Sequence, residues 1–495
     1  MRTILLSAPQ RGAFTGRRAR YVEPAQSGTT HAPSPRHTGE TPPDHHRQWQ
    51  KRARLSRLLV ALMWLSAVVA AALTLSSSTF TEPLNFATIT TNLGIVAGLI
   101  AMDLILVMLV LAARIPLVDR SVGHDRAIAV HRSMGKPALY LLLAHAALLL
   151  VGYGASQGID PIAEIGWIWS IPDMPLAFFG VGAIVAVVVT SAFSLRRKFS
   201  YEGWHLIHLL SYLGVLAAVP HQLSVGGILA ESTFARAYWT SLFVLAFGAV
   251  IIYRFIEPFV VSLRHRLTVV GVEKIAPGVT SLHLRGHNLA ALGATGGQYF
   301  VWRFWTAKTW WHAHPISLSA HATGDSARIT VRSLGEGSRD ISAVPKGTRV
   351  SLEGPYGIFT ERGRTSPRLA IAAAGIGVTP VLALLQQANI APGEATVVLR
   401  GSTLHDQALW DETIDTAQQK GANVYTMVGP RATVGASWIS EADARRGVTL
   451  ASVFPQLATS DLYLCGPTAW INSLAEDAKA LGLAPHQIHT ERFDW

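Results

Sequence analysis

Residues 131–145 read HRSMGKPALYLLLAH, with a histidine at each end. The apolar run continues past His145 to about residue 154, which is long enough for most of a membrane helix. Fourteen residues of α-helix rise about 21 Å and return to within about 40° of the same face. This stretch therefore predicts one helix that carries two histidines, His131 and His145, at two depths of a bilayer.

A second apolar stretch carries a matching pair. His208 and His221 are 13 residues apart, a helical rise of about 20 Å. In an ideal helix these side chains would point about 140° apart, and Pro220 is placed to kink the helix and re-aim His221. Neutral imidazole is a common axial ligand of haem iron. The spacing predicts two stacked haems, the inner one between His131 and His208 and the outer one between His145 and His221. His205 is the alternative to His208.

Six apolar stretches are each close to the ~20 residues that cross a bilayer. They cover approximately 58–77, 93–113, 137–154, 175–194, 204–221 and 237–256. The links on one side carry clusters of Lys and Arg. On the other side, 78–92 and 155–174 carry none, and 222–236 carries only Arg236. Because basic links stay in the cytoplasm, we expect a multi-pass protein of the cell membrane with both termini cytoplasmic.

The composition agrees with a membrane protein. Charged residues make up 15% of the chain, against about 25% in soluble domains. Most of the net charge of +11 lies in residues 1–57, which hold eleven Lys or Arg and three Asp or Glu. A basic flank beside the first span argues against nucleic acid as a partner. The single cysteine, Cys465, excludes an internal disulfide and a Cys-ligated iron–sulfur cluster.

The sequence divides into four parts. Residues 1–54, rich in Pro, Ser, Thr and Arg, are typical of a disordered basic cytoplasmic tail, and 55–260 predict a six-helix, all-α transmembrane bundle that binds haem. Short alternating strands with Gly- and Pro-containing turns predict an antiparallel β-barrel over 262–363. Repeated strand–turn–helix patterns predict an α/β nucleotide-binding domain over 364–495.

The predicted barrel contains two candidate flavin motifs. The segment His314-Pro315-Ile316-Ser317-Leu318-Ser319 lies on a predicted strand, and its hydroxyls could bind a flavin or simply be exposed. The segment Gly335-Glu336-Gly337-Ser338 fits a turn whose backbone N–H groups bind phosphate. The candidate flavin ligands are therefore His314, Pro315, Ser317, Ser319, Gly337 and Ser338.

The predicted α/β domain contains nucleotide motifs at the ends of its strands. Gly375-Ile376-Gly377-Val378-Thr379-Pro380 follows a strand and opens a helix, where pyrophosphate could bind. Cys465, Gly466 and Pro467 close another strand at the same edge, which places Cys465 near a nicotinamide site or makes it a buried small residue. Arg400 could pair with an adenosine 2′-phosphate and so favour NADPH over NADH. The terminal Trp495 could stack on a flavin ring or be a frayed end.

Together these motifs resemble the ferric reductase / NADPH oxidase superfamily over residues 55–495. The resemblance implies two b-type haems in a six-helix membrane domain, fused to a ferredoxin–NADP reductase-like module that binds FAD. It assigns the two histidine pairs to the haems and the 314–319 segment to the flavin, with Ile316 where an aromatic residue is usual. It assigns the Gly375–Pro380 and Cys465–Pro467 segments to the nicotinamide nucleotide. Trp495 corresponds to the C-terminal aromatic residue of the family. It implies electron transfer from cytoplasmic NAD(P)H to an external acceptor, either ferric complexes or O₂, with Cys465 and Trp495 at the catalytic centre.

Two other interpretations stay open. One is a histidine-lined metal or proton transporter with a nucleotide-binding regulatory domain, which predicts no haem. The other is a flavin reductase that inert helices anchor to the membrane.

Overall fold

The structure, a computed structural model, describes residues 45–76, 83–191, 201–225, 227–403, 406–433 and 437–493. Within these ranges, six helices are long and apolar enough to cross a membrane. They cover Arg47–Ala72, Phe86–Ala112, His124–Gln157, Met174–Ser191, Gly203–Ser224 and Thr233–His265. The predicted six spans and the multi-pass topology are confirmed, whereas most of the predicted tail and Trp495 lie outside the described residues.

The membrane half is all helical. Its helices are α1 (His45–Ala72), α2 (Phe86–Ala112), α3 (Pro116–Ser121), α4 (His124–Gln157), α5 (Pro161–Trp169), α6 (Met174–Ser191), α7 (Tyr201–Ala217), α8 (Val219–Ser224), α9 (Gly227–Glu231), α10 (Thr233–Ile251) and α11 (Glu257–His265). A π-helical turn, Ile252–Ile256, joins α10 to α11. Residues 45–54, which the composition places in the tail, form the first turns of α1, where the Trp49 ring lies 4.9 Å from that of His486.

Small residues let the membrane helices approach closely. A Cβ atom at Gly180 of α6 would lie 2.7 Å from the carbonyl oxygen of Gly214 of α7. A Cβ atom at Gly152 of α4 would lie 2.3 Å from the hydroxyl oxygen of Thr91 of α2. Lipid tails are as apolar as leucine, so such close backbone contacts, rather than hydrophobic burial, hold membrane helices together.

An antiparallel β domain follows the sixth span. Its strands are β1 (Leu267–Ala276), β2 (Val279–Arg285), β3 (Tyr299–Phe304), β4 (His314–Thr323), β5 (Ser326–Arg332) and β6 (Arg349–Tyr356), and helix α12 (Glu336–Ser342) follows β5. The strands pair in the ring order β1-β2-β5-β4-β3-β6, with β6 paired back to β1. Alternate residues such as Leu282, Leu318 and Ile329 are buried in the core of this ring, which agrees with the period of two in the sequence.

The last domain has a parallel sheet between helices. Its strands are β7 (Arg368–Ala374), β8 (Ala395–Gly401), β9 (Asn423–Val428), β10 (Ser460–Gly466) and β11 (Ile488–Arg492), and its helices are α13 (Val378–Gln387), α14 (Trp410–Gln419), α15 (Glu441–Arg445), α16 (Leu450–Val453) and α17 (Thr468–Ala480). The strand order is β11-β10-β7-β8-β9. The order reverses between β7 and β10, and ligands of such sheets bind at that switch point. The predicted α/β domain is confirmed.

Short 3₁₀ turns complete the described chain at Leu73–Ser76, Leu289–Leu292, Glu361–Gly363, Gly375–Gly377, Leu457–Thr459 and Pro485–Gln487.

Candidate functional site

The two histidines of α4 are held by backbone carbonyls of α2. Nδ1 of His131 lies 3.0 Å from the carbonyl oxygen of Met108, and Nδ1 of His145 lies 2.8 Å from that of Gly94. Gly94 and Met108 are fourteen residues apart, as are the two histidines. Because a carbonyl only accepts, each Nδ1 carries the proton and donates it. Each Nε2 is then free to act as a metal ligand, the usual arrangement of a ligating histidine.

Gly98 makes room for the His145 ring. A Cβ atom at this position would lie 2.3 Å from Nδ1 of His145 and 2.7 Å from its Cε1. Gly94 and Gly98 therefore form a cradle for the ring, one by its carbonyl and the other by its missing side chain. Sequence reasoning missed both residues, although the Gly-x-x-x-Gly spacing within an apolar stretch is a signal of close helix packing.

The inner pair of histidines faces each other across the bundle. The ring centroids of His131 and His208 are 6.2 Å apart, with ring planes inclined at 53°. Two metal–imidazole bonds of about 2 Å each, together with the ring radii, add up to roughly 6 Å. Nδ1 of His208 is buried and has no hydrogen-bond partner within the described part of the chain. The centroid distance fits an iron porphyrin held between the two rings.

The outer pair depends on a break in the fifth span. Helix α7 ends at Ala217 and α8 begins at Val219, with Pro220 in its first turn. The break lies beside Pro220, between two histidines that a continuous helix would point about 140° apart. His221 on α8 is close enough to His145 for the two rings to interact electrostatically. The alternative residue, His205, interacts instead with Arg114 and Arg254, at the end of the bundle that contacts the β domain.

A group of charged and aromatic side chains joins the membrane half to the β domain. Glu353 on β6 accepts hydrogen bonds from Arg114, just after α2, at 2.6 Å and from Arg254, in the π-helical turn, at 3.2 Å. The ring of Tyr356 stacks on that of His124 with centroids 5.5 Å apart, and the Arg114 guanidinium lies 5.3 Å from its centroid. Burial, opposed in part by Arg114, raises the pKa of Tyr356 to about 12, so its hydroxyl stays protonated.

The predicted flavin motifs meet on one side of the β domain. The 314–319 segment lies on β4, and a Cβ atom at Gly337 of α12 would lie 2.8 Å from Cε1 of His314. Nε2 of His314 and Oγ of Ser317 are buried without a hydrogen-bond partner within the described ranges. Burial and the neighbouring His312 lower the pKa of His314 to about 4, so the ring is neutral at pH 7. Unsatisfied buried polar atoms at this place suit a ligand with hydrogen-bonding groups, such as a flavin.

The other predicted flavin ligands take part in the fold itself. Oγ of Ser319 accepts hydrogen bonds from Thr330 and Arg328. Oγ of Ser338 accepts from the backbone N–H groups of Leu334 and Gly335 and so caps α12. Pro315 pairs with Val301 in the sheet. A flavin contact by these three residues stays a prediction.

The two predicted nucleotide motifs touch at the switch point of the α/β sheet. Gly375, with a φ of +57°, begins the turn between β7 and α13, and Pro380 lies in the first turn of that helix. A Cβ atom at Gly377 would lie 2.3 Å from the carbonyl oxygen of Cys465, and one at Gly466 would lie 2.9 Å from Cβ of Ala374. Pro467 follows as the cap of α17. Only residues without a side chain allow these two loops to meet.

Cys465 and Arg400 lie where the sequence predicts, but both are buried. Burial, together with Glu491, raises the pKa of the Cys465 thiol well above its ordinary value, so the sulfur is not a thiolate. The Arg400 guanidinium, at the end of β8, donates to the carbonyl oxygens of Gly401 and, at 2.6 Å, of Gly429. The roles of Cys465 at the nicotinamide and of Arg400 at a 2′-phosphate stay predictions.

Two further ionisable residues lie beside these motifs, and sequence reasoning missed them. Glu491 on β11 pairs in register with Cys465, and burial, followed by the charge of Asp125, raises its pKa to about 8. Arg332 at the end of β5 forms an ion pair with Asp406 at 2.7 Å and lies 3.6 Å from the Cβ position of Gly375. Arg332 pairs with a residue of the next domain and Glu491 interacts with Asp125 of the membrane half, so no local sequence pattern marks either residue.

A known protein family resembles part of the membrane half. Residues 97–219 match the family described as ferric reductase like transmembrane component, and this range includes three of the four predicted haem ligands, His131, His145 and His208. The membrane half is therefore similar to a ferric reductase like transmembrane component. This confirms the resemblance inferred from the motifs.

Curated relatives and a solved structure resemble part of the chain. A flavohemoprotein of Pseudomonas aeruginosa is 30% identical over 36% of this chain and 45% of its own length. The toluate 1,2-dioxygenase electron transfer component of Pseudomonas putida is 24% identical over 46% of this chain and 67% of its own length. The chain thus spans less than half the length of the flavohemoprotein. The FAD/NAD-binding domain of a nitric oxide dioxygenase from Vibrio cholerae is 23% identical, with a TM-score of 0.38 over 46% of this chain and 99% of the domain.

Proposed function

We propose that the protein is a transmembrane oxidoreductase of the cell membrane that moves electrons from cytoplasmic NAD(P)H, through FAD and two b-type haems, to an external acceptor, either a ferric complex or O₂. The observation that carries the proposal is the pair of carbonyl-held histidines on α4, with His208 facing His131 at a centroid distance of 6.2 Å. A histidine with a purely structural role in a membrane helix needs only one hydrogen bond. It does not need a second imidazole ring 6.2 Å away.

The soluble half would receive the hydride. Gly375, Gly377 and Gly466 leave space at the switch point of the sheet, where the nucleotide would bind, and Pro380 lies in the first turn of the helix whose N-terminus would hold the pyrophosphate. His314 and Ser317 offer their unpartnered polar atoms to the flavin. FAD, when bound, converts a two-electron hydride into single electrons that haem iron accepts.

The membrane half would fix the distances of the electron path. The α2 carbonyls hold His131 and His145 in the tautomer that leaves Nε2 free, so these two rings would not have to change tautomer to bind a metal. The Glu353 ion pairs hold the β domain against the cytoplasmic end of the same bundle.

Replacement of His145 by alanine tests the proposal against both alternatives. We expect the purified variant to lose the outer haem and external reduction, while NAD(P)H-to-dye activity through FAD is retained. A wild-type protein without a b-type spectrum would favour the transporter. Continued external reduction by the variant would contradict the two-haem path. The parallel pair His208→Ala and His205→Ala identifies the inner ligand, since only the first should remove the inner haem.

Nucleotide preference has a separate test. If Arg400 binds a 2′-phosphate, Arg400→Ala should lower the NADPH/NADH ratio of kcat/KM. An unchanged ratio, with a lower melting temperature, would assign Arg400 to the fold alone, as its bonds to backbone carbonyls suggest.

A further inference from the structure

A carboxyl group lies inside the membrane half, apart from the histidine pairs. Asp103 on α2 is 1% exposed, and along the helix it lies between Gly94 and Met108, whose carbonyls hold His145 and His131. Its level in the bundle is therefore between the levels of the two pairs. An ionisable side chain at such a depth is costly to keep and marks a functional site by default.

A chain of hydroxyl groups ends on this carboxyl group. The Ser66 hydroxyl, from α1, donates to Oδ1 of Asp103 at 2.5 Å and lies 3.4 Å from the hydroxyl oxygen of Tyr238, from α10. The Ser66 hydroxyl has one proton and uses it to donate a hydrogen bond to the carboxylate. Tyr238 is therefore the donor in its hydrogen bond with Ser66. Of the two hydroxyl groups only that of Ser66 donates to Asp103, and this single hydrogen bond opposes in part the effect of burial, which disfavours the charged form.

The second oxygen of Asp103 is left unsatisfied. Oδ2 is buried and has no hydrogen-bond partner, and no Lys, Arg or His of the described chain forms an ion pair with Asp103. Among the described residues, the hydrogen bonds that reach Asp103 come from Ser66 on α1, backed by Tyr238 on α10, while His131 and His145 on α4 bond to other carbonyls of α2. A carboxylate without a counter-ion in a low dielectric responds strongly to any charge placed near it.

We propose that Asp103 is a proton-binding site that takes up one proton when an electron enters the membrane interior and releases it when the electron leaves. The proposal rests on the proposed function, which brings the electron from NAD(P)H and passes it to the external acceptor. The proton comes from water, forms an O–H bond at Oδ2 and later returns to water. One negative and one positive charge enter together, so the net charge of the interior does not change.

Potentiometric titration of the haems at several pH values tests the proposal on the purified holoprotein. The variant is Asp103→Asn, and the matched control is Glu164→Gln. Glu164 on α5 is also fully buried and has an unpartnered oxygen, but it does not lie between the two histidine pairs. In the wild type and the control, the midpoint potential should fall as the pH rises. In Asp103→Asn it should lose this slope while the Soret spectrum is unchanged. An equal slope in Asp103→Asn, or no slope in the wild type, overturns the proposal.

Infrared difference spectroscopy gives a readout that needs no haem. When the pH is lowered, the carbonyl band of protonated carboxyl groups should be weaker in Asp103→Asn than in the wild type by the contribution of one buried group. If Asp103 contributes no such band at any pH, the proton site is wrong. A wild-type protein without haem would instead contradict the proposed function, and the infrared result would still decide the proton site.

Discussion

In the membrane half, the candidate ligands repeat along helices, whereas in the soluble half they come from distant segments. The carbonyls of Gly94 and Met108 hold His145 and His131 because two antiparallel helices keep the same spacing over fourteen residues. In the soluble half, Gly377 follows β7 and meets Cys465 at the end of β10, more than eighty residues later. A regular helix repeats the same rise per residue, so the spacing of the histidine site follows from two helices alone. The site in the soluble half depends on how whole loops pack.

Gly98→Ala gives the largest expected effect in the membrane half. Its Cβ atom would overlap the His145 ring at 2.3 Å, so we expect the outer haem, about half of the haem content, to be lost. The matched control is Gly182→Ala on α6, where no atom of the described residues lies within 4 Å of the new Cβ atom. Haem content per purified protein is the measurement. Full haem content in Gly98→Ala would contradict the cradle.

Gly377→Ala makes the corresponding change in the soluble half. Its Cβ atom would overlap the Cys465 carbonyl oxygen at 2.3 Å, and the loops would have to separate. A displacement of 1 Å at a reacting centre can reduce rates on the order of 100-fold. We expect kcat/KM for NAD(P)H to fall by that order while the haem spectrum stays unchanged. A parallel loss of haem would show that the two halves do not depend on separate local packing.

Glu353→Gln tests the link between the halves. A hydrogen bond to a charged group contributes about 2 kcal/mol, and the two arginines would be left close together without their counter-charge. We expect reduction of the haems by NAD(P)H to slow several-fold in stopped-flow measurements. NAD(P)H-to-dye activity, which stays within the soluble half, should not change, and its loss would assign Glu353 to the fold of the β domain.

A further effect concerns the pH dependence of stability. The pKa of Glu491 in the folded protein is about 8, against about 4.3 for an ordinary glutamate. The folded state binds this proton more tightly, so the free energy of unfolding should fall as the pH rises from about 4.3 to 8. In Glu491→Gln this contribution should vanish, as melting temperatures in detergent across that range can show. An identical pH profile in both proteins would mean that Glu491 is not buried as described.

Much of the fold follows from patterns with a fixed period. Each apolar stretch corresponds to one helix, and each alternating stretch corresponds to one strand. The sequence therefore predicts these elements, and the histidine spacing along the helices, directly. Even the break before His221 could be expected, because Pro220 stands where the helical phase fails. The α1 start at His45 could not, since Trp49 and its partner His486 are far apart in the sequence.

The amino-acid sequence alone determines which segments cross the membrane and which residues can ligate iron, because helix rise and residue chemistry are local properties. Only the tertiary structure decides that α2 carbonyls hold the α4 rings, that Glu353 joins the halves, and that Arg400 and Ser319 bond within the fold. Asp103 illustrates the difference best. Its presence in a span is a sequence fact, but its hydroxyl chain and its unpaired oxygen exist only where three helices meet.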